Sequence, residues 1–135
     1  MKTIITTIAL FLTFIMSAQE TTNTLTVTVP NATKDTGKMV FALNTAATFM
    51  KGAPVQSAEA DIKDGVATVT FENVEAGEYA VIVLHDMNGN KKMDFENGMP
   101  AENYATSGGV VSFGPPNWGD AKFTLDENTE LSIRL

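Results

Sequence analysis

The sequence predicts an all-β domain, an antiparallel two-sheet sandwich of immunoglobulin or prealbumin type with about seven strands and one long loop. Short segments alternate apolar and polar side chains, turn residues separate them at short spacing, and no stretch carries the 3.6-residue period of an amphipathic helix. Small closed β-barrels share these signs.

Leu25–Val29 opens the series, its apolar residues alternating with threonines, as a half-buried strand does. Pro30–Gly37 is rich in turn residues, and Lys38–Leu43 reads as a second strand. Asn44–Pro54 reads as a loop, although Ala46, Ala47, Phe49 and Met50 would also suit a single helical turn. Val55–Ile62 stops at Lys63-Asp64-Gly65, whose Asp-Gly pair signals a hairpin returning through Val66–Phe71. After a turn at Glu72–Gly77, Tyr79–Leu84 is almost continuously apolar, the mark of a central strand covered on both faces. Ala121–Leu125 and Leu131–Leu135 close the series around a turn at Asp126–Thr129. Between them and the central strand, His85–Gly119 has little strand character and much Gly, Asn, Asp and Pro. Loops of that length in compact domains are functional or disordered, and Phe95, Tyr104, Phe113 and Trp118 argue against disorder.

The first residues have the three parts of a secretory signal peptide: Lys2, an apolar run over Ile4–Met16, and a small-residue exit at Ser17-Ala18. The run is shorter than the roughly 20 residues that span a bilayer. Cleavage after Ala18 leaves residues 19–135 as a single domain without a membrane span, in the periplasm or outside the cell. Lys2 is the only charged residue removed, so 8 basic face 16 acidic side chains and the net charge moves from −7 to −8. Nucleic acid is a poor partner for such a chain, whereas cations are attracted to it. With no Cys, neither disulfides nor thiolate metal sites contribute.

Oxygen-bearing side chains recur at Asp86, Asn88, Asn90 and Asp94, positions 1, 3, 5 and 9 of a calcium loop, with the Lys92 carbonyl at position 7. Alternate residues in a tight turn direct such oxygens to one centre, which suits a hard cation of high coordination number. Position 12 is Asn97 in place of a bidentate Glu, and position 6 is Lys91 in place of Gly. The missing carboxylate then has to come from Glu96 or Glu102. The alternative is a plain hairpin turning at Asn88-Gly89, with the polar side chains bonding local backbone. His85, the only histidine, reads as a structural residue. Ser107 and Ser112 carry no nucleophile signature. Trp118, after Gly114-Pro115-Pro116, suits either an exposed platform for a sugar or a cap on the core.

Ala76-Gly77-Glu78-Tyr79-Ala80-Val81, the His85-Asp86-Met87-Asn88-Gly89-Asn90 run with Asp94, Gly98-Met99-Pro100-Ala101-Glu102, and Gly114-Pro115-Pro116 with Asp120-Ala121 together resemble bacterial domain-of-unknown-function family 2141. The likeness runs from about Met39 to the end of the chain. It implies a small exported protein, places Asp86, Asn88, Asn90, Asp94 and Glu102 in the family signature, and favours Glu102 over Glu96. Lys91 and Ala105 depart from it where glycines are common. The Gly77-Glu78-Tyr79-Ala80-Val81 piece also resembles a turn of transthyretin-like and carboxypeptidase-regulatory-like sandwiches. The resulting expectation is a monomeric, non-enzymatic binding module whose calcium-ordered loop presents Tyr104, Phe113 and Trp118 to a protein or glycan. The alternatives are a hydrolase using a metal held by Asp86, Asp94 or Glu102, and a purely structural envelope protein.

Overall fold

The computed structural model describes residues 21–109 and 114–135, so the expected signal peptide and Phe113 lie outside the described residues. Ten strands and one short helix follow in order: β1 Thr22–Val29, β2 Lys38–Asn44, β3 Gln56–Asp61, β4 Ala67–Glu75, β5 Gly77–Asp86, β6 Phe95–Glu96, β7 Met99–Pro100, β8 Tyr104–Thr106, α1 Trp118–Ala121, β9 Phe123–Leu125 and β10 Thr129–Ser132. One sheet has the order β10-β1-β4 and the other β3-β2-β5-β8, with β9 also on β5 and β6-β7 a separate hairpin.

The period-two pattern places the core. Leu25, Val27 and Val29 of β1, Met39, Phe41 and Leu43 of β2, Val69 and Phe71 of β4, and Tyr79, Val81 and Val83 of β5 pack in one cluster between the sheets. Burying each such side chain contributes about 1.5–3 kcal/mol before conformational entropy is set against it. The outer faces differ. On the β1–β4 sheet the intervening residues are threonines, paired across strands as Thr26 with Thr70 and Thr28 with Thr68. On the β5 sheet the outer residues are Ala80 and Ile82, and Phe49, Trp118 and Ala121 pack over them as a second apolar cluster. The continuous apolar run of β5 therefore reflects burial on both faces. Leu84 and Asp86 continue the outer row by the same alternation, which puts the Asp86 carboxylate on this face.

Several boundaries differ from the sequence reading. β4 runs on through Asn73 (φ 56°) to Glu75, so the turn into β5 shrinks to Ala76. The last strand is Thr129–Ser132 and pairs in parallel with β1, giving one parallel ladder within an otherwise antiparallel arrangement. Leu131–Leu135 still follows β1, with the Ile133 N–H on the Thr28 carbonyl and Asn31 binding both backbone groups of Leu135. Ala121 ends α1, which Asn117 caps by accepting the Asp120 N–H, and only Phe123–Leu125 is strand. Asn44–Pro54 is a loop with helical turns, Phe49 N–H donating to the Thr45 carbonyl.

Within the described part of His85–Gly119, one buried hydroxyl ties distant segments together. Ser107, 3% exposed, accepts the Val81 N–H at 2.9 Å and donates to the Ala121 carbonyl at 2.6 Å. It thus ties the end of β8 and the end of α1 to β5. At Gly108 (φ 96°) a Cβ would stand 1.9 Å from the Asp120 carbonyl oxygen, so only glycine allows the two segments to meet.

Candidate cation site

Asp86 ends β5 at 2% exposure. A charged carboxylate so enclosed needs donors, and it has two: Oδ1 accepts the Gly89 N–H at 3.0 Å and Oδ2 the Lys91 N–H at 2.9 Å. The chain thereby wraps around Asp86. Lys91 takes φ 59°, the left-handed conformation that a glycine would adopt without strain. Its ammonium reaches Glu59 on β3 at 3.1 Å, tethering the loop to the sheet. Gly37 (φ 76°) backs the strand end, because a Cβ there would lie 2.3 Å from the Asp86 carbonyl oxygen.

Within the loop, Asn88 and Asn90 each accept the N–H two residues on, at 3.2 and 3.0 Å. Their amide Nδ2 groups converge on Asp94, at 2.6 Å from Asn88 and 2.8 Å from Asn90. Asp94 is therefore the hub of the loop. Half a turn about χ2 of either amide replaces a donor nitrogen with an oxygen facing the same point. Lys92 contributes its N–H to Asn90, leaving its carbonyl as the expected ligand from position 7.

Glu102 arrives from beyond the β6-β7 hairpin, and Oε2 accepts the Met87 N–H at 2.7 Å. Oε1 is enclosed and has no hydrogen-bond donor. The Asp94 and Glu102 carboxyl groups influence each other's protonation. Burial pushes the Glu102 carboxyl above the usual range, and its contact with Asp94 and the charges of Asp94 and Asp86 add to this, against the Met87 N–H. Asp94 moves the other way, held down by hydrogen bonds from Glu102, Asn88 and Asn90. Glu102 is thus the acid that meets the loop, whereas Glu96 is exposed on β6.

Among the described residues, no three His, Asp or Glu side chains gather tightly enough to hold a metal by themselves. A cation bound here would depend on the Asn amide oxygens and a backbone carbonyl as well. A hollow of about 350 Å³ reaches Asp86 beside Gly37, Lys38 and Lys91, but neither Asp94 nor Glu102 lines it.

The Asn-Gly hairpin lies elsewhere in the chain. No ladder joins the residues flanking Asn88-Gly89, whereas Asn97 (φ 51°) and Gly98 (φ 78°) connect β6 to β7 with Glu96 opposite Met99. Positive φ at both central residues is the preferred two-residue hairpin turn. His85 is 2% exposed and its Nε2 lies 2.8 Å from the Thr36 carbonyl, a structural placement.

Of the expected partner surface, Tyr104 is half-buried on β8. Trp118 stacks edge-on to Phe49, ring centres 5.8 Å apart, and caps the second apolar cluster instead of standing free. Among the described residues the most exposed large apolar side chains are others, Phe95 at 65%, Met99 at 70% and Met50 at 60%. They edge an apolar groove of about 660 Å³ with Met93, Ile82 and Tyr104. Apolar residues around Asn97-Gly98 were the signal for this hairpin; nothing in the sequence joins it to Met50.

Fold and site define a β-sandwich with a carboxylate- and amide-rich loop between its central strand and a small hairpin. The model of a family described as an uncharacterized protein conserved in bacteria, domain of unknown function 2141, matches residues 27–133, and the chain belongs to that family. No curated protein and no solved structure matches the chain.

Proposed function

We propose that this chain is an exported, monomeric, non-enzymatic binding module with a prealbumin-like sandwich, in which Asp86, Asn88, Asn90, the Lys92 carbonyl, Asp94 and Glu102 hold calcium. One observation carries the reading: Glu102, tied to the loop through the Met87 N–H, has an enclosed carboxylate oxygen with no hydrogen-bond partner beside a loop whose Asn88 and Asn90 amides converge on Asp94. Carboxylates and amides around one centre form the oxygen-rich set that calcium takes, with flexible distances that a loop tolerates. Only part of the set is charged, which corresponds to the roughly 10⁻⁴–10⁻³ M affinities of extracellular modules. Lys2, the apolar run Ile4–Met16 and Ala18 support export with cleavage at residue 18.

The experiment is thermal unfolding of the chelated protein with calcium or magnesium restored. A ligand that binds only the folded state adds RT ln(1 + [L]/Kd), about 2.7 kcal/mol at 100-fold excess. Calcium is expected to raise the midpoint, and Asp86→Ala to abolish the rise. An unchanged midpoint at millimolar calcium would reject the proposal.

A further inference from the structure

We infer that Asn97-Gly98, at the tip of the β6-β7 hairpin, is a site of spontaneous deamidation, and that two similar pairs elsewhere in the chain are locked against the same chemistry. Asparagine and aspartate are vulnerable where glycine follows, because the next backbone nitrogen is the attacking atom and glycine sets no Cβ beside it. The sequence has three such pairs, Asp64-Gly65, Asn88-Gly89 and Asn97-Gly98. Every other asparagine precedes a residue with a side chain. Asp64, Asn88 and Asn97 are all exposed, so access to water does not separate them.

Hydrogen bonds separate them. The Gly89 N–H donates to the Asp86 carboxylate at 3.0 Å, and the Asn88 amide is held at both ends, Nδ2 on Asp94 at 2.6 Å and Oδ1 under the Asn90 N–H at 3.2 Å. The Gly65 N–H donates to Asp35 at 2.9 Å, the Asp64 N–H donates to the same carboxylate at 3.1 Å, and the Gly65 carbonyl accepts the Ala32 N–H. A nitrogen whose proton is held by a carboxylate gives it up reluctantly, and the charge-assisted bond must break before the nitrogen can turn onto Cγ. Among the described residues, no hydrogen bond holds the Gly98 N–H or the Asn97 side chain.

The turn itself accounts for that freedom. With Asn97 at φ 51° and Gly98 at φ 78°, the flanking residues Glu96 and Met99 carry the pairing, and the N–H of the second central residue is left to solvent. The ladder behind it has two pairs, Phe95 with Pro100 and Glu96 with Met99. So short a hairpin opens locally at little cost in free energy, which lets the Gly98 nitrogen reach the Asn97 side chain. Gly65 and Gly89 have no such freedom while Asp35 and Asp86 hold them.

The chemistry needs water alone. The Gly98 nitrogen gives up its proton and bonds to Asn97 Cγ, the Cγ–Nδ2 bond breaks, and Nδ2 leaves as ammonia with its two hydrogens and that proton. The product is a five-membered succinimide. Water then opens the ring at one of its two carbonyl carbons. Attack at Cγ breaks the new bond and yields aspartate, whereas attack at the main-chain carbonyl breaks the original peptide bond and yields isoaspartate, with the chain running through Cβ. Aspartate keeps the backbone, which tolerates the left-handed conformation there, and takes the net charge from −7 to −8. Isoaspartate inserts a methylene into a turn of only two residues, so both pairs of the ladder can no longer stay in register.

The test ages the whole protein in mildly alkaline water enriched in heavy oxygen, with and without denaturant, and reads each site by peptide mass spectrometry. Trypsin cuts after Lys91 and Lys92, which puts Asn88 and Asn97 in different peptides. In the folded protein Asn97 is expected to become aspartate and isoaspartate carrying one heavy oxygen, about tenfold or more faster than Asn88 changes. In denaturant the two asparagines should convert at similar rates, and Asp64 should begin to isomerise. Gly98→Ala, where an added Cβ meets nothing within 4 Å, should slow conversion at Asn97 in a folded protein. Asp35→Ala should release isomerisation at Asp64 without denaturant. Equal rates at Asn88 and Asn97 in the folded protein, an Asn97 that converts only after denaturation, or a Gly98→Ala variant that converts as fast as the native chain overturns the inference. An Asp64 that stays unchanged in Asp35→Ala but isomerises in denaturant overturns the lock assigned to Asp35.

Discussion

Asp94 and Glu102 bracket the β6-β7 hairpin, and their carboxyl groups shift in opposite directions, Glu102 up through burial and the nearby acids, Asp94 down through the hydrogen bonds it accepts. Glu102 is raised above its ordinary 4.5, first by burial and then by its contact with Asp94, so its contribution to stability is full below 4.5 and lost as pH rises through the higher folded value. Asp94 is lowered below its ordinary 3.8, so its contribution is present above 3.8 and lost as pH falls through the folded value. The cation-free protein should lose stability as pH climbs from about 4.5 through the Glu102 transition. Calcium must displace that proton, so the calcium-dependent gain should grow over the same window. Unfolding midpoints measured against pH with chelator and with calcium should therefore diverge upward from this point. Parallel curves would mean that the two carboxyls take no part in binding.

Glu102→Gln separates the two roles of this side chain. The amide oxygen can still accept the Met87 N–H, while the ionisable carboxyl that burial and the nearby acids hold above its usual range is gone. At neutral pH without calcium the variant should be at least as stable as the native protein, and its calcium response should fall sharply. Asp86→Asn should behave differently, because one of two backbone donors would face an amide NH₂ in place of a carboxylate oxygen. A loss of about 1–3 kcal/mol without calcium is the expected cost, read by chemical denaturation.

Ser107 offers a test of the scaffold that leaves the loop untouched. Ser107→Ala strips the Val81 N–H and the Ala121 carbonyl of a buried partner. About 2–3 kcal/mol should be lost, lowering the midpoint by roughly 8–12 °C for a domain of this size. The calcium-induced rise should survive. A midpoint within two degrees of the native value would show that water or a backbone shift replaces the hydroxyl.

Legibility in the sequence followed the range of the interaction that shapes each element. β1, β2 and β5 were readable because alternation, or its absence over Tyr79–Leu84, records burial directly. β10 was displaced toward the terminus because its parallel pairing with β1 depends on residues about a hundred positions away. The two Asn-Gly pairs look alike locally. What separates them is what the residues around them bond to, amide N–H groups converging on Asp94 in one case and a two-rung ladder in the other. Asp86, Asn88, Asn90 and Asp94 were visible as a spacing, whereas the spacing left Glu96 and Glu102 equivalent and only the family resemblance favoured Glu102. Ser107 gave no signal, because a serine whose hydroxyl bridges one amide and one carbonyl has the same neighbours in sequence as one that does nothing.

Lys91 marks a position where the loop carries both strain and an unhelpful charge. Its φ of 59° costs a non-glycine residue about 1 kcal/mol, and its exposed ion pair with Glu59 returns at most about the same. Lys91→Gly should leave stability within about 1 kcal/mol of the native value and tighten calcium several-fold, since a cation beside the site repels another. Lys91→Ala removes the charge and keeps the strained backbone. Comparison of the two by calorimetry divides the gain between electrostatics and conformation, and unchanged affinity in both would place the cation away from Lys91.

Gly37 and Gly89 provide the last contrast, because both have positive φ but only one is crowded. A Cβ at Gly89 (φ 77°) meets nothing within 4 Å, so Gly89→Ala should cost only the left-handed penalty of about 1 kcal/mol. A Cβ at Gly37 (φ 76°) would lie 2.3 Å from the Asp86 carbonyl oxygen and 3.0 Å from the Met87 Cα. Gly37→Ala must therefore push the end of β5 outward, for a loss of about 2–4 kcal/mol. The displaced backbone is the one that carries Asp86, so calcium affinity should fall as well, although Gly37 itself bears no ligand. If Gly37→Ala destabilised the protein and left calcium affinity unchanged, the position of the Asp86 backbone would not limit binding, and the cation would be held by the other proposed ligands without Asp86.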